Sequence, residues 1–155
     1  MKRVPVCATV LGSLLLLGVT ASEGQMAPHP GSGDPIADRQ RLMKLNGASW
    51  KDAQDKAKAG SIEAIAVNAE TIAINAQHIP LLFPKGSLSD KSNAKPEIWE
   101  KWGDFESAAK NLETKALALR DAAKAKDQAQ VEALMKDFGR QACGTCHQPF
   151  RKPLQ

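Results

Sequence analysis

Apolar residues recur at alternating spacings of three and four over most of this chain, which is the mark of helices that bury one stripe. Ile62, Ile65, Ala69, Ile72, Ala76 and Ile79 form one such series, and Pro80 stops it. Ile98, Trp102, Phe105, Ala109, Leu112, Ala116, Leu119 and Ala123 form a second, opened by Pro96. Val131, Leu134, Phe138 and Ala142 form a third, starting near Asp127. An earlier helix is expected over Pro35 to Ala59, with Asp34 as its N-cap, Pro35 at its first position and Gly60-Ser61 as its stop. Residues 80–95 read as a loop whose Leu81, Leu82 and Phe83 fold back as a plug. Four amphipathic helices with one longer connection specify an all-α, antiparallel four-helix bundle over residues 35–155. No internal repeat is visible.

The first residues follow another pattern. Lys2 and Arg3 precede an apolar run from Val10 to Val19, and small residues follow it (Val19-Thr20-Ala21). That is a secretory signal, expected to be removed at about residue 21. The run is too short for a membrane helix, which needs about 20 apolar residues, so no membrane insertion is expected after its removal. Cys7 leaves with it. Residues 22–34, rich in Gly, Pro and Ser, read as a disordered leader.

Composition sharpens this picture. There is no tyrosine, and the charged stretches at 51–58 and 115–127 fit solvated helix faces. The chain has 21 basic and 17 acidic residues; without Lys2 and Arg3 the balance falls from +4 to +2. Nothing in that charge asks for nucleic acid or a membrane surface. Export leaves only Cys143 and Cys146, too few for the disulfide framework of a small secreted protein.

Those two cysteines belong to Cys143-Gly144-Thr145-Cys146-His147, the attachment pattern of c-type haem. Two thiols must add to vinyl groups on one porphyrin edge while an imidazole reaches the iron. On a helix, positions i, i+3 and i+4 share a face and can do both. A redox pair normally sits in a fold with strands. Zinc wants four ligands, and the other histidines are His29 in the leader and His78 at a helix end. The expected cofactor is one haem c, whose two propionates would bring the net charge to about zero.

Histidine alone leaves one iron face open. An electron carrier closes it, often with methionine, and a gas-binding protein leaves it open. Met26 lies in the leader, and Met135 lies about 18 Å from His147 along one helix. Met43 comes from another helix. Spacing alone leaves it as either a ligand or core packing.

The arrangement resembles the class II cytochromes c, the cytochrome c′ family, over about Asp34 to Lys152. Arg39-Gln40-Arg41-Leu42-Met43-Lys44-Leu45-Asn46-Gly47 is similar to the first helix of its low-spin, methionine-ligated branch, cytochrome c-556. Leu82-Phe83-Pro84, Pro96-Glu97-Ile98-Trp99 and the ending Ala142 to Arg151 are similar as well. The resemblance implies His147 and Met43 as axial ligands, Arg39 at a haem propionate and Arg151 near the haem. It implies a periplasmic electron carrier of a Gram-negative bacterium, not an enzyme, working with redox partner proteins as a monomer or homodimer. The alternative it carries is a five-coordinate cytochrome c′ that binds nitric oxide or carbon monoxide. A peroxidase would need a distal histidine with an arginine partner, and none is evident. Trp50, Trp99, Trp102, Phe83, Phe105 and Phe138 are expected to pack around the porphyrin.

Overall fold

The computed structural model describes residues 32–153. The signal segment 1–21, with Cys7, and the leader up to residue 31, with Met26 and His29, lie outside the described residues. Helix α1 spans Pro35–Lys58, α2 Ile65–His78, α3 Glu97–Glu100, α4 Trp102–Lys124, α5 Gln128–Phe138 and α6 Thr145–Phe150. A 3-10 turn over Pro80–Leu82 follows α2, and a π turn over Gly139–Gly144 joins α5 to α6. With α3 and α4 as one arm and α5, the π turn and α6 as another, these elements make the expected four-helix bundle.

Helix α1 begins where Asp34 accepts from the backbone N–H groups of Ile36 (2.9 Å) and Ala37 (3.1 Å), so one carboxylate caps two orphan donors. It ends at Ala59, and Gly60 turns the chain at φ 71°, where glycine carries no steric penalty. Helix α2 starts three residues later than its apolar spacing suggests. Ser61 to Ala64 close as successive turns, with Ala64 N–H donating to the Ser61 carbonyl and Ile65 N–H to that of Ile62.

From Ile65 the spacing holds: Ile65, Ala69, Ile72, Ala76 and Ile79 are buried, while Val67 and Ile74 face outward. Helix α2 packs chiefly on α4, whose Phe105, Ala109, Leu112, Ala116, Leu119 and Ala123 are buried in their turn. Polar clamps fix the pairings. Asn68 joins Asp52 and Lys56 of α1 to α2, and Glu113 of α4 accepts from Gln77 at 2.9 Å and from Lys110 at 2.7 Å.

Three expectations need correction. The arm from Pro96 is not one helix: Lys101 leaves helical geometry at φ −120° and separates α3 from α4. Trp99 on α3 is pulled to the loop, its indole N–H donating to the carbonyls of Phe83 (3.0 Å) and Pro84 (3.2 Å), and Gly103 offers little resistance to a break. Of the expected plug only Phe83 packs against the core, and Leu81 is 64% exposed. The last arm is likewise interrupted by its π turn. No helix among the described residues is long and apolar enough to cross a membrane.

Candidate haem site

A cavity of about 510 Å³ opens between α1 and the C-terminal arm. Met43 reaches it from α1, Cys143 from the π turn, and Cys146 and His147 from α6. The two cysteines, the histidine and the methionine singled out from sequence thus line one space. Met135 packs against the core and is not part of the lining. His78 ends α2 with its Nδ1 2.8 Å from the Ile74 carbonyl, and it does not line the cavity either.

The walls are aromatic. Trp50 stacks on Phe138 with ring centroids 4.5 Å apart, and both line the cavity. Phe105 meets Phe83 edge-on at 4.8 Å and Phe150 at 5.5 Å, and these three line it too. Trp99 and Trp102 stand behind them, tilted against Phe83 and Phe105 respectively.

Electrostatics follow from burial. Desolvation lifts the Cys143 thiol above its ordinary pKa. Cys146 is pushed up to about 11, first by burial and then by its neighbour Cys143. Both are neutral thiols at pH 7. That is the form in which a thiol adds across a vinyl group, its proton going to the vinyl carbon. Burial, with help from Arg151, lowers the pKa of His147, so its imidazole is neutral with a lone pair to give. Among the described residues no cluster of three or more His, Cys, Asp and Glu is arranged to hold a metal ion by itself.

The lining carries Arg39, Lys44 and Arg151 and no carboxylate, which is the charge pattern a dianionic ligand needs. Arg39 is buried at 4% exposure, and its guanidinium serves the loop. Its terminal nitrogens donate to the Ser87 hydroxyl (3.0 Å), the Ser87 carbonyl (2.7 Å) and the Ser92 hydroxyl (2.7 Å), and it lies 4.6 Å over the Phe83 ring. Arg151 pairs with Ala94 in an isolated antiparallel bridge, supported by Lys95 N–H to the Phe150 carbonyl and Lys152 N–H to that of Asn93.

Sequence reading gave no role to Asn46, one turn from Met43. Its Oδ1 accepts from Asn75 at 2.8 Å, but its Nδ2, in the cavity wall, is buried with no partner. A buried unpaired donor is costly, so Asn46 marks an acceptor-bearing ligand. Gly47 leaves the same wall bare: a Cβ there would meet no protein atom within 4 Å. Both residues stood inside the segment that carried the resemblance. A flat, largely apolar, doubly acidic group that takes two thiols fits this lining. Haem is such a group.

The sequence model of the family described as Cytochrome C′ matches residues 34–151. The chain belongs to the cytochrome c′ family. A cytochrome c-556 of Agrobacterium fabrum (strain C58 / ATCC 33970) is 35% identical over 151 residues, 97% of each chain. One from Agrobacterium tumefaciens (strain II Chrys) is 42% identical over 119 residues, 75% of this chain and 95% of that one. In solved structures the fold is similar to cytochrome c′ from Rubrivivax gelatinosus, with a TM-score of 0.67, 25% identity, and coverage of 77% of this chain and 96% of that one. This member of the cytochrome c′ family is a haem protein, and its cofactor is covalently bound haem c with its iron. Cys143 and Cys146, near the C-terminus, fit that attachment.

Proposed function

We propose that this cytochrome carries single electrons in the periplasm, with Cys143 and Cys146 as the thioether attachments and His147 and Met43 as the axial ligands. The observation that supports it is that Met43, on α1, and His147, on α6, line one cavity together with both cysteines. Haem iron supplies a one-electron couple, and a neutral thioether ligand favours its ferrous form.

The protein's own groups do the rest. The lowered pKa of His147 keeps a lone pair available. The interlocked rings of Trp50, Phe138, Phe105, Phe83 and Phe150 exclude water and hold the walls still, so a change of charge finds little to rearrange. Arg151 and Lys44, both in the lining, would offset the charge of two propionates, and Asn46 Nδ2 would supply a spare donor. Arg39 acts there as a buried positive charge more than as a free donor, since the loop takes four of its hydrogen bonds. Met43 stands where a substrate or gas would bind, so the reading includes no catalytic turnover. The signal segment fits export, and the partners are other redox proteins.

The test is the visible and electron paramagnetic resonance spectrum of the exported, haem-loaded protein. A low-spin ferric signal with a methionine-to-iron charge-transfer band is expected. Met43→Leu should abolish the band, raise the high-spin fraction and lower the reduction potential. A spectrum and potential unchanged in Met43→Leu refute the ligand assignment. A high-spin wild-type protein that takes up nitric oxide readily moves the function to gas binding.

A further inference from the structure

Of the polar links between α1 and α2, one closes and another does not. Asn68 of α2 spends both ends of its amide on α1: its Oδ1 accepts from Lys56 at 2.7 Å and its Nδ2 donates to Asp52 at 2.8 Å. Seven residues further along the same helix, Asn75 donates its Nδ2 to the Asn46 Oδ1 at 2.8 Å. Here the amide of Asn46 is only half used. Its Nδ2 is buried without a partner, in the wall of the haem cavity. A link that served only to hold two helices together gains nothing from a stranded donor, because a pair of apolar side chains of the same shape would hold them without that cost.

The stranded end has a fixed direction. Oδ1 and Nδ2 sit on one planar carbon, so fixing one fixes the other. Asn75 draws the oxygen toward α2, which turns the N–H groups away from α2, in a wall shared with Met43, Cys143, Cys146 and His147. Asn75 itself is half-buried and does not line the cavity. An N–H is the positive end of the amide dipole. Oxidation of the haem adds one positive charge at the iron, and a positive dipole end in the wall of a poorly screened site opposes that charge. Asn46 therefore favours the ferrous form, whether its N–H is accepted by a propionate oxygen or by the Met43 sulfur.

We propose that Asn75 is a positioning residue for the redox couple: from outside the cavity it aims the Asn46 amide so that the N–H end, and not the carbonyl end, faces the haem. This rests on the reading of the protein as a one-electron carrier. Without Asn75 the amide is free to turn, its carbonyl end reaches the cavity wall as readily as its N–H end, and the bias toward ferrous iron is lost.

The full chain is expressed in a bacterium with a c-type haem maturation system, and the exported, haem-loaded protein is titrated between its ferric and ferrous forms with redox mediators. Asn46→Leu removes the donor and should shift the equilibrium toward ferric by about two- to tenfold, the order of one buried hydrogen bond. Asn75→Leu should shift it the same way by about twofold or more, although Asn75 is not in the lining. Asn75→Ser, one bond too short to reach Asn46, should do the same with less disturbance of packing, so a poorly folding leucine variant leaves the test intact. In the Asn46→Leu background neither change at position 75 should add a further shift, because the amide it aims is gone. Equilibria unshifted in both position-75 variants overturn the proposal. So do shifts that multiply in the double variants, which would mark a general change of solvation. Loss in Asn75→Ser of a methionine-to-iron band present in wild type also overturns it, by placing the effect on ligation. Wild-type protein with no reversible one-electron couple would instead refute the proposed function.

Discussion

Replacing Phe105 by alanine should be the most damaging single truncation near the site. Its ring is 1% exposed and touches three others: Phe83 at 4.8 Å, Trp102 at 5.5 Å and Phe150 at 5.5 Å. Through them it joins α4 to the loop after α2 and to the end of α6. Phe→Ala truncations in a packed core cost about 3–5 kcal/mol, and the crowded aromatic neighbours here leave the cavity little chance to collapse. Domains of this size are stable by about 5–15 kcal/mol, so the variant should still fold. At about 4 °C per kcal/mol its Tm should fall by about 12–20 °C. Phe105→Leu retains most of the apolar volume and should cost only about 1–1.5 kcal/mol, mainly the lost ring geometry. The assay is denaturant unfolding of haem-loaded protein, in which thioethers keep the cofactor on the unfolded chain. A cycle with Phe150→Leu should return a coupling of about 0.5–1.5 kcal/mol. A cost below about 2 kcal/mol for Phe105→Ala, or no coupling, would show that this residue is not the joint between loop and motif.

Two further perturbations test the polar clamps. Arg39→Lys exchanges a planar fork for a point charge and cannot serve Ser87 and Ser92 together; it should cost about 1.5–3 kcal/mol and speed amide exchange across residues 84–92, and unchanged exchange there would show that the loop is held by other contacts. Glu113→Gln tests a pH window. Lys110, and then Gln77, hold the Glu113 carboxyl below its ordinary value, so its contribution is complete above about pH 5 and fades as pH falls through the lowered pKa. Wild type should exceed Glu113→Gln in stability at neutral pH, with the gap closing toward acid; a gap constant from pH 7 to pH 3 would rule the ion pair out as its source.

Much of the fold was legible because burial and helical period agree. Ile65 to Ile79 and Phe105 to Ala123 repeat at three and four, and the buried positions of α2 and α4 follow them. What the period hides is main-chain geometry. Ile98, Trp102 and Phe105 keep their spacing across Lys101, so the seam stays continuous while the backbone breaks, drawn aside by Trp99 and its two loop carbonyls. Leu81 had the composition of a plug residue, yet the 3-10 turn faces it outward and leaves the contact to Phe83. The same asymmetry holds at the site. Cys143, Cys146 and His147 were readable because one chemical act constrains all three. Spacing left Met43 as either ligand or core packing and only the resemblance singled it out; it shares one cavity lining with His147. Asn46 and Asn111 left no pattern, because one awaits a ligand and the other serves a carbonyl, and neither need has a sequence period.

The π turn did leave a trace. Phe138, Ala142, Cys146 and Phe150 are spaced by four, four and four, with no three to bring the stripe back. Each step of four overshoots a full turn by about 40°, so three of them would carry the stripe about 120° around a straight helix. Residues that must all face one cavity cannot tolerate that drift, and one added residue of π geometry cancels most of it. The resulting arm is gripped at two places. Asn111 and Lys115 hold the turn before the motif, and the Ala94–Arg151 bridge with the Lys95–Phe150 hydrogen bond holds the chain after it. The proposed ligand His147 lies between those grips. A carrier that must accept and release an electron with little nuclear movement gains from such a two-point clamp, whereas packing of the apolar stripe would be met by a straighter, unclamped helix with its residues respaced.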